Sequence, residues 1–156
     1  MIARRGGAAG LVVVLVLALA GCGGSGSHEP SRQAKLWLLS YQELLNHWRS
    51  EFHASEANRH GGAIGDAKRY LRRTFPFAPS DARFRLRKIP GDVPDGERAY
   101  AQITGTAVAG KRMARGFLHG ARGARYHALR RAFTRSLDAS YRAIGATSDL
   151  RPAELR

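Results

Sequence analysis

The sequence predicts an α+β domain: two N-terminal helices, a small antiparallel sheet of two or three strands, and a C-terminal amphipathic helix packed across it. Three observations predict it. Apolar residues recur every three or four positions from Leu38 to Phe52 and again from Tyr126 to Ile144, the period of a helix. Between those stretches Arg83-Phe84-Arg85-Leu86-Arg87 alternates strictly, the period of a half-buried strand. Clusters of glycine and proline separate the periodic segments where the chain must turn.

The first helix is expected from Ser31, a good N-cap, to about Ala57. Steps of about 100° per residue place Leu38, Tyr41, Leu45, Trp48 and Phe52 on one stripe, which Trp37 and Leu44 widen. The stripe covers about two heptads, too few for a coiled coil, so Trp37, Tyr41, Trp48 and Phe52 are assigned to the core. His60-Gly61-Gly62 breaks this helix. A second runs from Ala63 to Arg73, with Ile64, Ala67 and Leu71 on one side, and ends in Phe75-Pro76-Phe77-Ala78-Pro79 because each proline disfavours helix at the residue before it.

Strands are then expected at Arg83–Arg87, at Arg98–Thr106 after a turn over Gly91–Gly96, and at Arg112–His119. The third would put Met113, Arg115, Phe117 and His119 on one face, and it is weakened by Gly105, Gly110, Gly116 and Gly120. The last helix, Ala124 to Ile144, carries Tyr126, Leu129, Phe133, Leu137, Tyr141 and Ile144 on one stripe, with Gly145 as its stop. Ser140 lies inside that stripe, where its hydroxyl is expected to bond a carbonyl one turn earlier.

The address comes from the other end of the chain. Arg4 and Arg5 precede an apolar run from Ala8 to Ala20, 13 residues long and too short to span a bilayer, which needs roughly 20. A charged start, a short apolar stretch and small residues before a break form a secretory signal peptide. Leu19-Ala20-Gly21-Cys22 resembles the lipobox of bacterial lipoproteins, a resemblance confined to the first 22 residues. It implies cleavage before Cys22 and a diacylglyceryl group on its sulfur, with Cys22 as the acylated N-terminus. Gly23 in place of Asp resembles lipoproteins sent to the outer membrane where the host has one; otherwise the anchor lies in the outer face of the plasma membrane. The expected organisation is a signal peptide at 1–21, lipidated Cys22 with a Gly/Ser tether to residue 30, one domain at 31–146 and a loose tail at 147–156.

Charge is the other anomaly. The chain has 26 bases and 12 acids. Removing Arg4 and Arg5 leaves 24 against 12, a mature net charge of about +12. Of the bases 22 are Arg and 4 are Lys, which fits a GC-rich genome, but codon bias does not deplete Asp and Glu. No acid occurs between Glu97 and Asp138, whereas Lys111, Arg112, Arg115, Arg122, Arg125, Arg131 and Arg135 all fall there. Guanidinium groups pair bidentately with phosphate oxygens, so these seven are the candidate anion-binding residues. The competing reading is solvated charge spread around the elements. Arg130, in the same window, sits at the edge of the last helix's stripe, where snorkelling over the core rim is commoner than a buried ion pair.

Catalytic and metal constellations are not found. Cys22 is the only cysteine, which excludes disulfides, thiol catalysis and cysteine-ligated metal in the domain. His53 and His60 lie two turns apart, too far to share an ion. There is no Gly-x-Ser-x-Gly elbow, and neither Gly61-Gly62 nor Gly110-Lys111-Arg112 has the setting of a phosphate loop. No cofactor is expected. The function expected is a non-catalytic, membrane-anchored envelope lipoprotein, a structural or accessory subunit that meets other envelope proteins through the Trp37/Trp48 helix. The alternatives are a tethered module binding anionic lipid, envelope polymer or DNA, and a small hydrolase.

Overall fold

The computed structural model describes residues 30–148, and the expected signal peptide, Cys22, most of the tether and most of the tail lie outside them. Five helices follow one another: α1 (Arg32–His60), α2 (Ile64–Thr74), α3 (Ala78–Leu86), α4 (Gly96–Leu118) and α5 (Gly123–Ser148). Among the described residues there is no strand, so the expected antiparallel sheet is replaced by helix throughout.

Cross-contacts order the helices. Ser55 Oγ donates to Ala67 O, Arg73 grips Glu51, and Trp37 Nε1 donates to Leu86 O at 3.3 Å, so α2 and α3 together run back along α1. Tyr41 OH donates to Ala99 O at the start of α4, which runs parallel to α1. Tyr126, Phe133 and Tyr141 of α5 meet Glu56, Phe52 and Asn46 in turn, so α5 is antiparallel to α1. The result is an up-down-up-down four-helix bundle whose second arm is broken into α2 and α3. Its core is aromatic at the centre: Phe133 packs edge-on against Phe52 and Phe75, at centroid separations of 5.4 and 5.3 Å.

The elements with large apolar stripes form as expected. Ser31 caps α1, its Oγ accepting from Ala34 N at 3.1 Å. Trp37, Tyr41, Trp48 and Phe52 are all buried. The Gly91–Gly96 turn is present, closed by Val93 N–H to Pro90 O and Gly96 N–H to Val93 O. The last helix, α5, continues through Gly145 to Ser148, so that glycine is no stop.

The three strands are corrected for separate reasons. The first lies in α3, whose buried residues Ala78, Ala82 and Leu86 recur every four positions while Phe84 is 73% exposed. Five alternating residues fit either period, and the alanines that decide between them carry little hydrophobic signal. Pro79 ends nothing: it occupies the first turn of α3, where proline is favoured. The second and third expected strands are one helix, α4. Its buried face is Ala99, Ile103, Thr106, Ala107, Gly110, Met113 and Ala114, a helical stripe built largely of small residues. Met113 is buried and Arg115 exposed, so they do not share a face.

Small residues matter because α4 comes close to its neighbours. A Cβ on Gly110 would sit 2.6 Å from Phe75 Cδ1 and 3.1 Å from Phe133 Cε2. One on Gly116 would collide with Leu129 Cδ1. Across the α4–α5 seam Thr106 Oγ1 lies 2.8 Å from Ser140 Oγ and 2.7 Å from Ser136 Oγ, with Gln102 Nε2 donating to Ser136 O. Ser140 therefore finds its partner on the opposing helix rather than one turn back along its own.

Candidate anion-binding face

The seven candidate bases lie on α4, on α5 and in the turn joining them. Arg112, Arg115, Arg122, Arg125, Arg131 and Arg135 are exposed, and Lys111 is half-buried. Helical geometry of about 100° per residue divides them. Ser136 and Ser140 fix which side of α4 meets α5, and Lys111 and Arg115 project toward the other side, where α2 and α3 pack. Arg112 faces outward, and so do Arg131 and Arg135 on α5. Arg122 and Arg125 mark the α4–α5 turn. The structure thus brings the seven to one end and the outer side of the bundle, as a broad basic face and not as a single cluster.

A groove between α3 and α4 gives that face some relief. It holds about 530 Å³ of open space, floored by Gly105, Ala101 and Val108, with Arg112 on one bank and Arg83 on the other. Thr104 also lines it, although its hydroxyl is engaged by the Tyr100 carbonyl. Arg83 is the residue the sequence reading missed. As part of an expected strand it had no defined relation to Arg112, whereas helix α3 sets it across the groove.

Electrostatics favours an anion here because bases outnumber acids on this face and five acids are engaged elsewhere, while Asp81, Asp95, Glu97 and Asp138 are exposed and make no ion pair among the described residues. Glu43 pairs with Arg85, Glu51 with Arg73, Glu56 with Arg59 and Arg130, and Asp66 with Arg69. Asp92 Oδ2 accepts from Ser31 N–H at 2.7 Å. Among the described residues none of the seven candidates has an acidic partner within ion-pair distance.

The same pairing builds a buried charge cluster. Glu56 is 6% exposed, accepts from Arg59 Nε at 3.1 Å and from Tyr126 OH at 2.7 Å, and lies 3.0 Å from Arg130 Nε. Burial pushes the Glu56 carboxyl up, but the bonds from Arg59 and Tyr126 and the charges of Arg59 and Arg130 outweigh it and hold the group below the usual range. Burial raises the Tyr126 hydroxyl, and bonding to Glu56 raises it further. Arg130 therefore enters an ion pair rather than only snorkelling, though its Nε is off the line of a hydrogen bond to the carboxylate. Glu51, Ser55 and Glu56 continue the α1 stripe at helical spacing, and acids on a buried stripe must be paired; that was the available signal.

A second cleft, about 270 Å³, opens between the start of α4 and the end of α5. Asp95, Arg98, Gln102 and Arg142 line it with three alanines, and no hydroxyl nucleophile or imidazole does. Among the described residues no three histidine, cysteine or acidic side chains converge on a metal position. No helix of the described residues is long and apolar enough to cross a membrane. No protein-family model, curated protein or solved structure matches the chain.

Proposed function

We propose that the chain is a lipid-anchored, non-catalytic envelope protein that works by contact, and that its contact surface is the basic face of α4 and α5 with the Arg83–Arg112 groove. The observation that carries this reading is the charge arrangement. Eight bases lie in the 25-residue window from Lys111 to Arg135 without an acid, of which Arg130 alone is paired with one among the described residues, and Glu43, Glu51 and Asp66 are paired to bases outside the window. An anionic polymer, whether an envelope polymer or nucleic acid, suits such a face because its phosphates or carboxylates are repeated and need no closed pocket.

The fold adds a direction. The chain enters the bundle at Ser31, level with the start of α4, while Lys111 to Arg125 lie toward the far end of α4, roughly 30 Å away at 1.5 Å per residue. A protein anchored through Cys22 would present this end away from the point of attachment. Burial of Trp37 and Trp48 removes their side chains from any surface role, so protein contacts through α1 would fall to its exposed leucines.

The test is a salt titration of the full chain in detergent against duplex DNA as a model polyanion, repeated with Arg83, Arg112, Arg115 and Arg131 changed to Gln. Each lost phosphate contact should lower the slope of log K against log salt by about 1. A slope shallower by about 3–4 supports the reading. An unchanged slope refutes it and makes these arginines solvated background.

A further inference from the structure

Three large exposed apolar side chains lie on the opposite side of the bundle. Leu36 and Leu39 of α1 are 54% and 53% exposed, and Phe84 of α3 is 73% exposed. Trp37 Nε1 to Leu86 O and the Arg85–Glu43 ion pair at 3.5 Å fix how α1 and α3 lie together. In that register Leu36 and Leu39, one turn apart, and Phe84, two residues before Leu86 and so on the outer side of α3, project from the α1–α3 flank. Cations surround them: Arg32, Arg85, Arg87 and Lys88 are exposed, with the Arg87 guanidinium 5.6 Å from the Phe84 ring centroid. Of the nearby acids Glu43 is held by Arg85, and Asp81 is the exposed exception.

We infer that this flank docks on an anionic lipid bilayer, with Leu36, Leu39 and Phe84 entering the headgroup–acyl boundary and the surrounding cations meeting lipid phosphates. The inference rests on the anchoring part of the reading above. Apolar side chains ringed by Lys and Arg are the chemistry of interfacial binding. Position supports it independently of composition. Leu36 is 14 residues from Cys22, and the ten peptide steps from Cys22 to Arg32 reach at most about 35 Å. A lipid on Cys22 would hold the flank at high local concentration beside the surface, which strengthens a contact the flank makes on its own. Because the α1–α3 flank lies opposite the α4–α5 flank, docking turns the outer side of α5, with Arg131 and Arg135, toward the envelope space.

The experiment places one environment-sensitive dye at a time on the full chain, by Leu36→Cys, Phe84→Cys or, as control on the outer side of α5, Ala132→Cys. Each is made in a Cys22→Ser background and mixed with phosphatidylglycerol-rich or pure phosphatidylcholine vesicles. The expected result is a blue shift, and quenching by brominated acyl chains, at positions 36 and 84 on anionic vesicles, with position 132 staying aqueous. Equal response at all three positions, or a shift at 132 alone, overturns the inference. A concentration-dependent shift at 36 and 84 without vesicles also overturns it, in favour of a second copy of the chain. So does a dye that stays aqueous on vesicles but is shielded in isolated envelopes, in favour of a protein partner. Anchoring is read separately, from the mass of the N-terminal peptide of the wild-type chain. An unmodified Cys22 defeats the anchor without deciding the docking face, because the dye series contains no lipidated cysteine.

Discussion

Replacing three glycines of α4 by alanine, one at a time, tests whether the bundle packs as described. In a helix interior Gly→Ala is favourable by about 1 kcal/mol when nothing else changes. Gly105 is such a place: it is exposed, and an added Cβ meets nothing within 4 Å. Gly105→Ala should therefore stabilise by about 1 kcal/mol, raising the melting temperature of a domain this size by about 4 °C. Gly110 is the opposite case. Its Cβ would stand 2.6 and 2.9 Å from two atoms of the Phe75 ring, which cannot retreat because Phe133 packs edge-on against it. Overpacking of a rigid core costs about 1–3 kcal/mol, so Gly110→Ala should lose stability despite its better propensity. At Gly116 the obstacle is the end of a flexible, half-buried leucine, Leu129, and the two effects should nearly cancel. Thermal unfolding followed by circular dichroism gives the three shifts. If Gly110→Ala stabilises as much as Gly105→Ala, Phe75 does not fill a notch on α4 and the packing argument is refuted.

Three further predictions concern buried polar groups and a cap. Tyr126→Phe removes a donor from the buried Glu56 carboxylate and should cost about 1–2 kcal/mol by urea unfolding. Glu56 and Glu51 are both held below their ordinary values, Glu51 chiefly by its bonds from Arg73. Their stabilisation is therefore complete above the unfolded-state value near 4.5 and is lost as pH falls through the folded values. Urea midpoints measured from pH 6 to pH 3 should fall below about pH 4.5, and the double variant Glu51→Gln/Glu56→Gln should start lower but vary less. Ser31→Ala removes the α1 cap and should cost about 1 kcal/mol, with the loss appearing as faster amide exchange in the first turn of α1.

Helices with bulky stripes were legible in the sequence, and helices with small ones were not. The aromatic stripe from Trp37 to Phe52 and the stripe from Tyr126 to Ile144 specify their period because each large side chain has one acceptable side. In α4 the same period is written in Ala99, Ala107, Gly110 and Ala114, where burial hardly changes the hydrophobic pattern, so Ile103, Thr104, Thr106 and Val108 supplied a misleading β-like composition. The glycines pointed the same wrong way: in α4 two of them admit close neighbours, which is a property of the partner helix and not of the local sequence. Of the anion-binding candidates, the window was visible from charge alone, but Arg83 joins it only through the α3–α4 groove. The Glu56–Tyr126 contact joins residues 70 apart and needed the fold.

The Gly110 notch also determines how the bundle can rearrange. A seam of interchangeable leucines can slide by a turn and still bury the same area, which is how simple bundles come to populate several registers. Here the Phe75 ring fits one gap on α4, and the hydroxyls of Thr106 and Ser140 meet at a single offset. Sliding α4 by one turn would drive Phe75 against a methyl or methylene group and break the arrangement in which Thr106 meets Ser136 and Ser140 together. The seam therefore acts as an index mark. An inward pull on one end of α4, from a polymer bound near Arg112, would be carried along the helix as a rigid rod instead of being lost as slippage.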